Sequence, residues 1–217
     1  MSTTASPYGL KPVNLIGGQA FNGGVIREYA LTSNNTAPIF FGDMVKLTAG
    51  VPSVVAASPT AGTTAGIVGV CVGVRYQLAG QQLGYPLYAQ YLPVNSVTAG
   101  YTNIFVRVMD DPDAVFQVQA NGSVTAASIG KNVAFTSASF TAGNTGATGN
   151  TTTGNSVISI DTTTINTTAT LAMRIIDLVN ESSTFGGNFP SNPGDAYTDC
   201  LVKFNLGTHS YYLATGN

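Results

Sequence analysis

One histidine, two cysteines and ten acidic residues are all that this chain of 217 residues offers for acid/base, nucleophilic or metal chemistry. His209 stands among Thr208, Ser210, Tyr211 and Tyr212, a setting in which an imidazole can activate a hydroxyl. A triad also needs a presented nucleophile, and the sequence has neither a Gly-x-Ser-x-Gly elbow nor a comparable cysteine signature. His209 is therefore expected to be structural. Glycoside hydrolysis needs only two carboxylates, which keeps Asp43, Asp177, Glu181, Asp195 and Asp199 in view by type, but there is no tryptophan to stack on a sugar ring. Asp110-Asp111-Pro112-Asp113 gathers three carboxylates within four residues. It lacks the glycine and distal glutamate of an EF-hand loop, and its proline and aspartates suit a tight turn. Gly66, Gly69 and Gly73 do not have dinucleotide-binding spacing and no helix pattern follows them, so they are read as bends or bulges in a central strand. Cys71 and Cys200 are too few for a metal framework. Each lies in an apolar run, where a buried thiol acts as a small hydrophobe; a disulfide between them is the alternative. No catalytic residue, metal or cofactor is expected, and an enzyme is the least expected class.

The scarcity extends to charge as a whole. Only 8% of residues are Asp, Glu, Lys or Arg, against about 25% in a typical soluble domain. With 44% hydrophobic residues the chain can nonetheless bury a core, and Thr, Ser, Asn and Gly must solvate its exterior. The net charge is -2 and the basic residues are scattered from Lys11 to Lys203, so no positive stripe is present for a phosphate backbone and direct nucleic-acid binding is not expected. The opening MSTTASPYGLKPVNLIGG lacks the basic and apolar regions of a secretory signal. The longest apolar-rich stretch, 65–74, falls short of the about 20 residues that cross a bilayer. The chain is expected to be soluble, to start in a cytoplasm and to have no membrane partner.

The elements that must position these residues read as short strands. β-branched and aromatic runs broken by Gly, Pro and Asn mark 25–31, 44–47, 53–57, 66–76, 87–91, 103–109, 114–119, 133–136, 157–160, 171–178, 198–205 and 211–214. Alternation in 105–109 places Phe105, Arg107 and Met109 on one face and Val106 and Val108 on the other. In 115–119, Phe116 and Val118 oppose Val115, Gln117 and Gln119, giving a wet face. Asp110–Asp113 is expected to close a hairpin between those two runs, and Asn121-Gly122 is expected to supply positive φ to a second one. Only 168–179 offers an alternative helical reading, as one short helix.

A Thr-, Ser-, Asn- and Gly-rich belt at 137–170 suggests surface hairpins or loops, and 185–194 is a further irregular loop. The belt separates a β body, 25–136, from a second β part within 137–217 that packs on the same body. Residues 1–24 form an extended arm whose Tyr8, Leu10, Val13, Leu15, Ile16 and Phe21 are too apolar to be left in water; it is expected to lie on this body or on another subunit. Tyr85, Tyr88, Tyr91 and Tyr101, and the pair Tyr211-Tyr212, suit either an interface or an ordinary core with hydroxyls at the rim. The fold expected is all-β: a multi-stranded barrel or sandwich, jelly-roll-like, with an extended N-terminal arm and long Thr/Gly/Asn-rich loops.

Several segments in order carry a resemblance: 7–13 (PYGLKPV) with 17–22 (GGQAFN), 41–46 (FGDMVK), 66–70 (GIVGV), 110–113 (DDPD) with 116–122 (FQVQANG), and the ending from 203–205 (KFN) to His209. Together they resemble head decoration, or cement, proteins of tailed bacteriophages, of the marine and cyanobacterial phage type, over most of the chain outside the Thr-rich belt. The resemblance implies a non-enzymatic β protein, made in the host cytoplasm, that binds the outer surface of an icosahedral head and clamps neighbouring capsomers. Its partners would be the major capsid protein and further copies of itself, as a dimer or trimer. Tyr8, Leu10, Val13, Leu15, Ile16, Phe21, Tyr211 and Tyr212 are the candidate capsid or subunit contacts. Two other readings stand beside it: a different virion component, such as a shell, tail or fibre protein, and a carbohydrate-binding β domain using the belt and the tyrosines.

Overall fold

The run Ile67–Leu78 reads IVGVCVGVRYQL, apolar on both parities for most of its length, and such a strand must be covered on both faces. A computed structural model, which describes residues 5–15, 26–55, 66–80, 84–136, 149–179 and 195–213, places this strand, β6, inside a six-stranded sheet. In that sheet β2 (Ile26–Ala30), β9 (Tyr101–Met109), β6, β4 (Met44–Thr48) and β5 (Val51–Val54) follow in order. β7 (Leu87–Ala89) also pairs with β6, at Val74–Tyr76, beyond the stretch that β4 occupies. A five-stranded sheet has the order β1 (Lys11–Leu15), β10 (Ala114–Gln119), β15 (Asp199–Phe204), β14 (Met173–Leu178) and β11 (Asn132–Val133). Two small ladders complete the set, β3 (Ile39–Phe40) with β8 (Tyr91–Leu92) and β12 (Phe135–Thr136) with β13 (Ser159–Ile160). Among the described residues every ladder between these strands is antiparallel and both large sheets are open, so the fold is a sandwich and not a closed barrel.

Two cores follow from this arrangement. The first lies between the large sheets, where Met44, Ile67, Val70 and Met109 meet Phe116, Ile175, Cys200, Val202 and Phe204, with Phe135, Ile158 and Ile160 closing one side. The Phe116 and Phe204 rings meet edge to face at 5.5 Å. The second core covers the other parity of β9: Val106 and Val108 pack with Val45, Cys71 and Val74 beneath Ile39 and Leu92 of the β3–β8 ladder. Each fully buried Val, Leu, Ile or Phe in these layers contributes about 1.5–3 kcal/mol relative to exposure. The two cysteines sit one in each core as free, buried thiols. That settles the cysteine reading on small hydrophobes and against a disulfide.

Of the glycines in β6, Gly73 marks the expected bulge and Gly69 instead serves a close approach of two strands. A Cβ on Gly69 would lie 1.9 Å from the Met109 carbonyl oxygen, so only glycine allows β6 and β9 to approach this closely. Gly73 takes φ +134° where the β6–β9 register slips between Cys71 and Gly73, which is a bulge. The hairpin signals fare differently. Asp110–Asp113 does turn, with the Asp113 N–H donating to Asp111 Oδ1 at 2.8 Å, but it carries the chain from one large sheet to the other: β9 pairs with β2 and β6, β10 with β1 and β15. It joins the layers of the sandwich instead of closing a hairpin. Gly122 has no positive φ; Asn121 is held by Thr162, whose N–H and hydroxyl both donate to its Oδ1. The tight hairpin is β4–β5, where Ala49 and Gly50 take φ 50° and 78° between Thr48 and Val51, the signature of a type I′ turn. Alanine there gave no sequence signal.

Other boundaries move as well. Residues 210–212 form a single 3-10 turn where a strand over 211–214 was expected, and Met173–Leu178 is a strand, which removes the helical alternative. Strand β5 begins at Val51 and ends at Val54, earlier than the run 53–57 suggested. The five-stranded sheet interleaves all three sequence segments: β1 from the arm, β10 and β11 from the front, β14 and β15 from the back. The arm, over its described part, is thus a strand of the body, pairing Lys11–Leu15 with Ala114–Gln117. Ile16, Phe21, Glu181, residues 137–148 of the belt and the whole of the 185–194 loop lie outside the described residues.

Two substitutions test this geometry in urea unfolding. Gly69→Ala forces a backbone shift between β6 and β9 and is expected to cost about 3 kcal/mol or more, whereas Ala49→Asn relieves a left-handed alanine and is expected to add up to about 1 kcal/mol. Equal midpoints for Gly69→Ala and the parent chain would contradict the close approach.

Candidate functional site

Because charge is scarce, where each charged group goes is informative. The Asp110 carboxylate is a hub at the crossover between sheets. Its Oδ2 accepts from the Tyr211 hydroxyl at 2.7 Å and the Tyr29 hydroxyl at 3.1 Å, and pairs with Arg27 Nε at 3.0 Å. Asp113 pairs with Lys203 Nζ at 2.9 Å and accepts from the Tyr212 hydroxyl at 3.3 Å. The Lys203 hydrogen bond is the main cause that holds its carboxyl below the ordinary range. Burial and Asp110 push the Tyr211 hydroxyl upward, so it stays a donor. The acidic run therefore clips the C-terminal turn and β2 onto the crossover. Among the described residues no three His, Cys, Asp or Glu side chains converge as metal ligands.

His209 is fully buried, packed against the rings of Phe204, Tyr211 and Tyr212 at 5.6, 5.0 and 6.1 Å. Its Nδ1 accepts from the Tyr211 N–H at 3.2 Å, which puts the ring proton on Nε2. That Nε2 meets no acceptor at hydrogen-bond geometry, although the Val68 and Asp110 backbones favour the protonated ring. Burial outweighs them and lowers the imidazole from its usual value. Among the described residues no hydroxyl or thiol is bonded to either ring nitrogen, and the ring caps the turn Ser210–Tyr212. Burial also raises the thiols of Cys71 and Cys200 to about 12, leaving both unreactive at neutral pH.

The candidate contact residues separate into distinct environments. Leu10 is 1% exposed in the chain's own inter-sheet core; it has no surface to offer a capsomer, a correction to its candidacy. Tyr8 is half-buried and donates its hydroxyl to Asp199 Oδ1 at 3.0 Å, while the Ser6 N–H donates to Gln119 Oε1 at 2.7 Å. The segment 5–8 thus covers one end of the outer face of β10 and β15. This explains why Gln119 is buried and why only Gln117 of the expected wet face is partly open. Val13 is exposed on β1. The backbone of Leu15 pairs with Ala114. Tyr211 and Tyr212 keep part of their rings in solvent, 49% and 39%, but their hydroxyls are committed to Asp110 and Asp113.

A surface that sequence reasoning left undivided lies at β7. Of the four clustered tyrosines, Tyr91 stacks on Phe40 at 5.3 Å and Tyr101 leans on Tyr76 at 4.6 Å, so both are half-buried against their own sheet. Tyr85 and Tyr88 face outward, 80% and 63% exposed, with Leu87 between them. Arg75, opposite Tyr88 in the ladder, lies over the Phe105 ring at 4.2 Å and pairs with Glu28 at 2.7 Å. Arg107 lies over Tyr88 at 5.8 Å. Two tyrosines, a leucine and two arginines backed by Glu28 make an exposed aromatic and cationic rim. Tyr and Arg are the residues enriched in interface cores. The alternation that separates the inward from the outward tyrosines is broken at Gln90, which is why spacing alone did not separate them. Compared with known proteins, the chain matches no protein family, no curated protein and no solved structure.

The burial of His209 carries a pH dependence whose sign follows from its lowered value. The unfolded chain takes up the proton first, so stability is full above the unfolded value and is lost as pH falls through it toward the lower folded one. Urea midpoints are expected to fall between about pH 7.5 and about pH 5.5 in the parent chain, and His209→Gln is expected to flatten that window. A parent midpoint that holds or rises on acidification would contradict the buried neutral ring.

Proposed function

We propose that this protein is a structural component of a tailed-phage virion, a decoration protein that docks on the outer surface of the head and cements neighbouring capsomers. The sequence resemblance points to that class, and the β7 rim is the observation that carries the docking. In a chain with so few charges, exposed Tyr85, Leu87 and Tyr88 sit beside Arg75 and Arg107 on a rigid sheet. Large aromatic area with a guanidinium alongside suits a surface that is covered on assembly. The all-β sandwich with a mostly neutral polar exterior is compatible with this use, since it presents little charge to repel a shell. The partners are the major capsid protein and further copies of this chain. Many weak contacts repeated over a lattice add up without any one being strong.

Of the two places open to the N-terminal segment, its described part lies on this chain's own body. Residues 11–15 complete the five-stranded sheet and Leu10 fills its core, so deleting the arm removes part of the fold together with any docking. The discriminating experiment changes the rim alone. Tyr85→Ser/Tyr88→Ser leaves both cores intact and is expected to weaken co-sedimentation with expanded heads by at least about tenfold, a loss of about 1.4 kcal/mol. Unchanged occupancy on the heads would remove the rim from the interface, and no binding by the parent chain would remove the head as its partner.

A further inference from the structure

Arg174 and Lys203 stand directly opposite each other in the β14–β15 ladder. Like charges at such a pair are destabilising, and this chain has only eight cations to place. Lys203 is neutralised by Asp113. Arg174 has no carboxylate within ion-pair distance among the described residues.

Its guanidinium is nevertheless fixed. Nε donates to Asn132 Oδ1 at 3.0 Å and Nη2 to Asn205 Oδ1 at 3.3 Å. Both asparagines are 4% exposed. Each spends its Nδ2 on backbone carbonyls: Asn132 on Thr168, Asn205 on Ala169 and Leu171. Those bonds leave both amide oxygens turned to the arginine, and Asn205 Oδ1 also accepts from the Leu206 N–H at 3.0 Å. The described end of the Thr-rich belt thus clamps two buried amides that in turn aim one exposed guanidinium. The remaining N–H groups of Arg174 have no partner among the described residues, and the side chain lines a cleft of about 280 Å³ with Ile176, Lys203, Leu206 and Tyr212.

We infer that this cleft binds a carboxylate presented by a partner protein, an Asp or Glu side chain with an aliphatic residue beside it. The charge decides the class. With Lys203 already paired, the cleft offers one unneutralised cation, which matches a monoanionic carboxylate better than a dianionic phosphate. A planar guanidinium is shaped for a carboxylate. Leu206, 70% exposed, and Ile176 supply the apolar wall for the neighbouring residue. The site lies on the five-stranded sheet and uses no residue of the β7 rim, so it stands or falls independently of head docking.

The test titrates the full chain, labelled with 15N, with N-acetyl-Glu-Leu-amide, with the neutral N-acetyl-Gln-Leu-amide and with inorganic phosphate, following the Arg174 Nε and the Ile176 and Leu206 amide resonances. The Glu peptide is expected to shift all three saturably, and Arg174→Gln and Arg174→Lys to weaken it by at least about tenfold. Leu206→Ser, a surface change that does not threaten folding, is expected to weaken it by about threefold. The inference is overturned if the Gln peptide binds equally well, if phosphate binds more tightly than the Glu peptide, or if neither Arg174 variant weakens binding. It is also overturned if the parent chain shows no saturable shift by about 50 mM, below which no useful site exists.

Discussion

The backbones of Gly69 and Met109 approach so closely that a single added carbon would overlap the Met109 carbonyl. That contact draws β6 and β9 together at the centre of the six-stranded sheet, and both faces of the sheet depend on it. On one side the end of β9 delivers Met109 into the core shared with Phe116 and Phe204; on the other Val106 and Val108 meet the layer under β3 and β8. A strand pair covered on both faces has no wet side to tolerate error, which is why glycine is placed at the close approach and again at the bulge. Beyond the end of the second sheet the same strands become free to present Arg75, Phe105 and Arg107 at the surface.

Charge is used sparingly and in groups. Asp110 and Asp113 fasten the one crossover between β9 and β10 to both the C-terminal turn and β2, so the two sheets and the chain end are tied at a single place. Salt bridges at exposed sites contribute little each, about 0–1 kcal/mol; here their position at the joint of two layers matters more than their strength. Glu28, Arg75 and Arg107 form the second group, on the rim, and Arg174 stands apart, held by amides. Polar neutral side chains do what ion pairs do in more charged proteins.

The fold class was legible because its causes are local. Alternation in 114–119 gave β10 to the residue, and the apolar, glycine-broken run of 66–76 gave the buried central strand. Pairing was not legible. Asp110–Asp113 has turn chemistry whether the next strand returns to the same sheet or leaves for another, and only the burial of Phe116 against Phe204 decides between them. The edge strand β1 was hidden by Pro12, which left the segment legible only as an extended arm lying on this body or on another subunit; Leu10 and Tyr8 anchor it to the body. The Ala49-Gly50 turn lacked the usual asparagine or aspartate. At the surface, sequence could name tyrosines but not divide them, and nothing in it foretold that Asn132 and Asn205, far apart along the chain, would hold one arginine between them.

The proposed docked role on the outside of a viral head would bring together the sparse charge, the double-cored body and the aromatic rim. The most direct measurement is a density map of tailed-phage particles assembled with this chain present. The account predicts the sandwich on the outer surface at lattice-repeated positions, with Tyr85 and Tyr88 covered by the shell. Density for the chain inside the head, in the tail, or nowhere on the particle would contradict it.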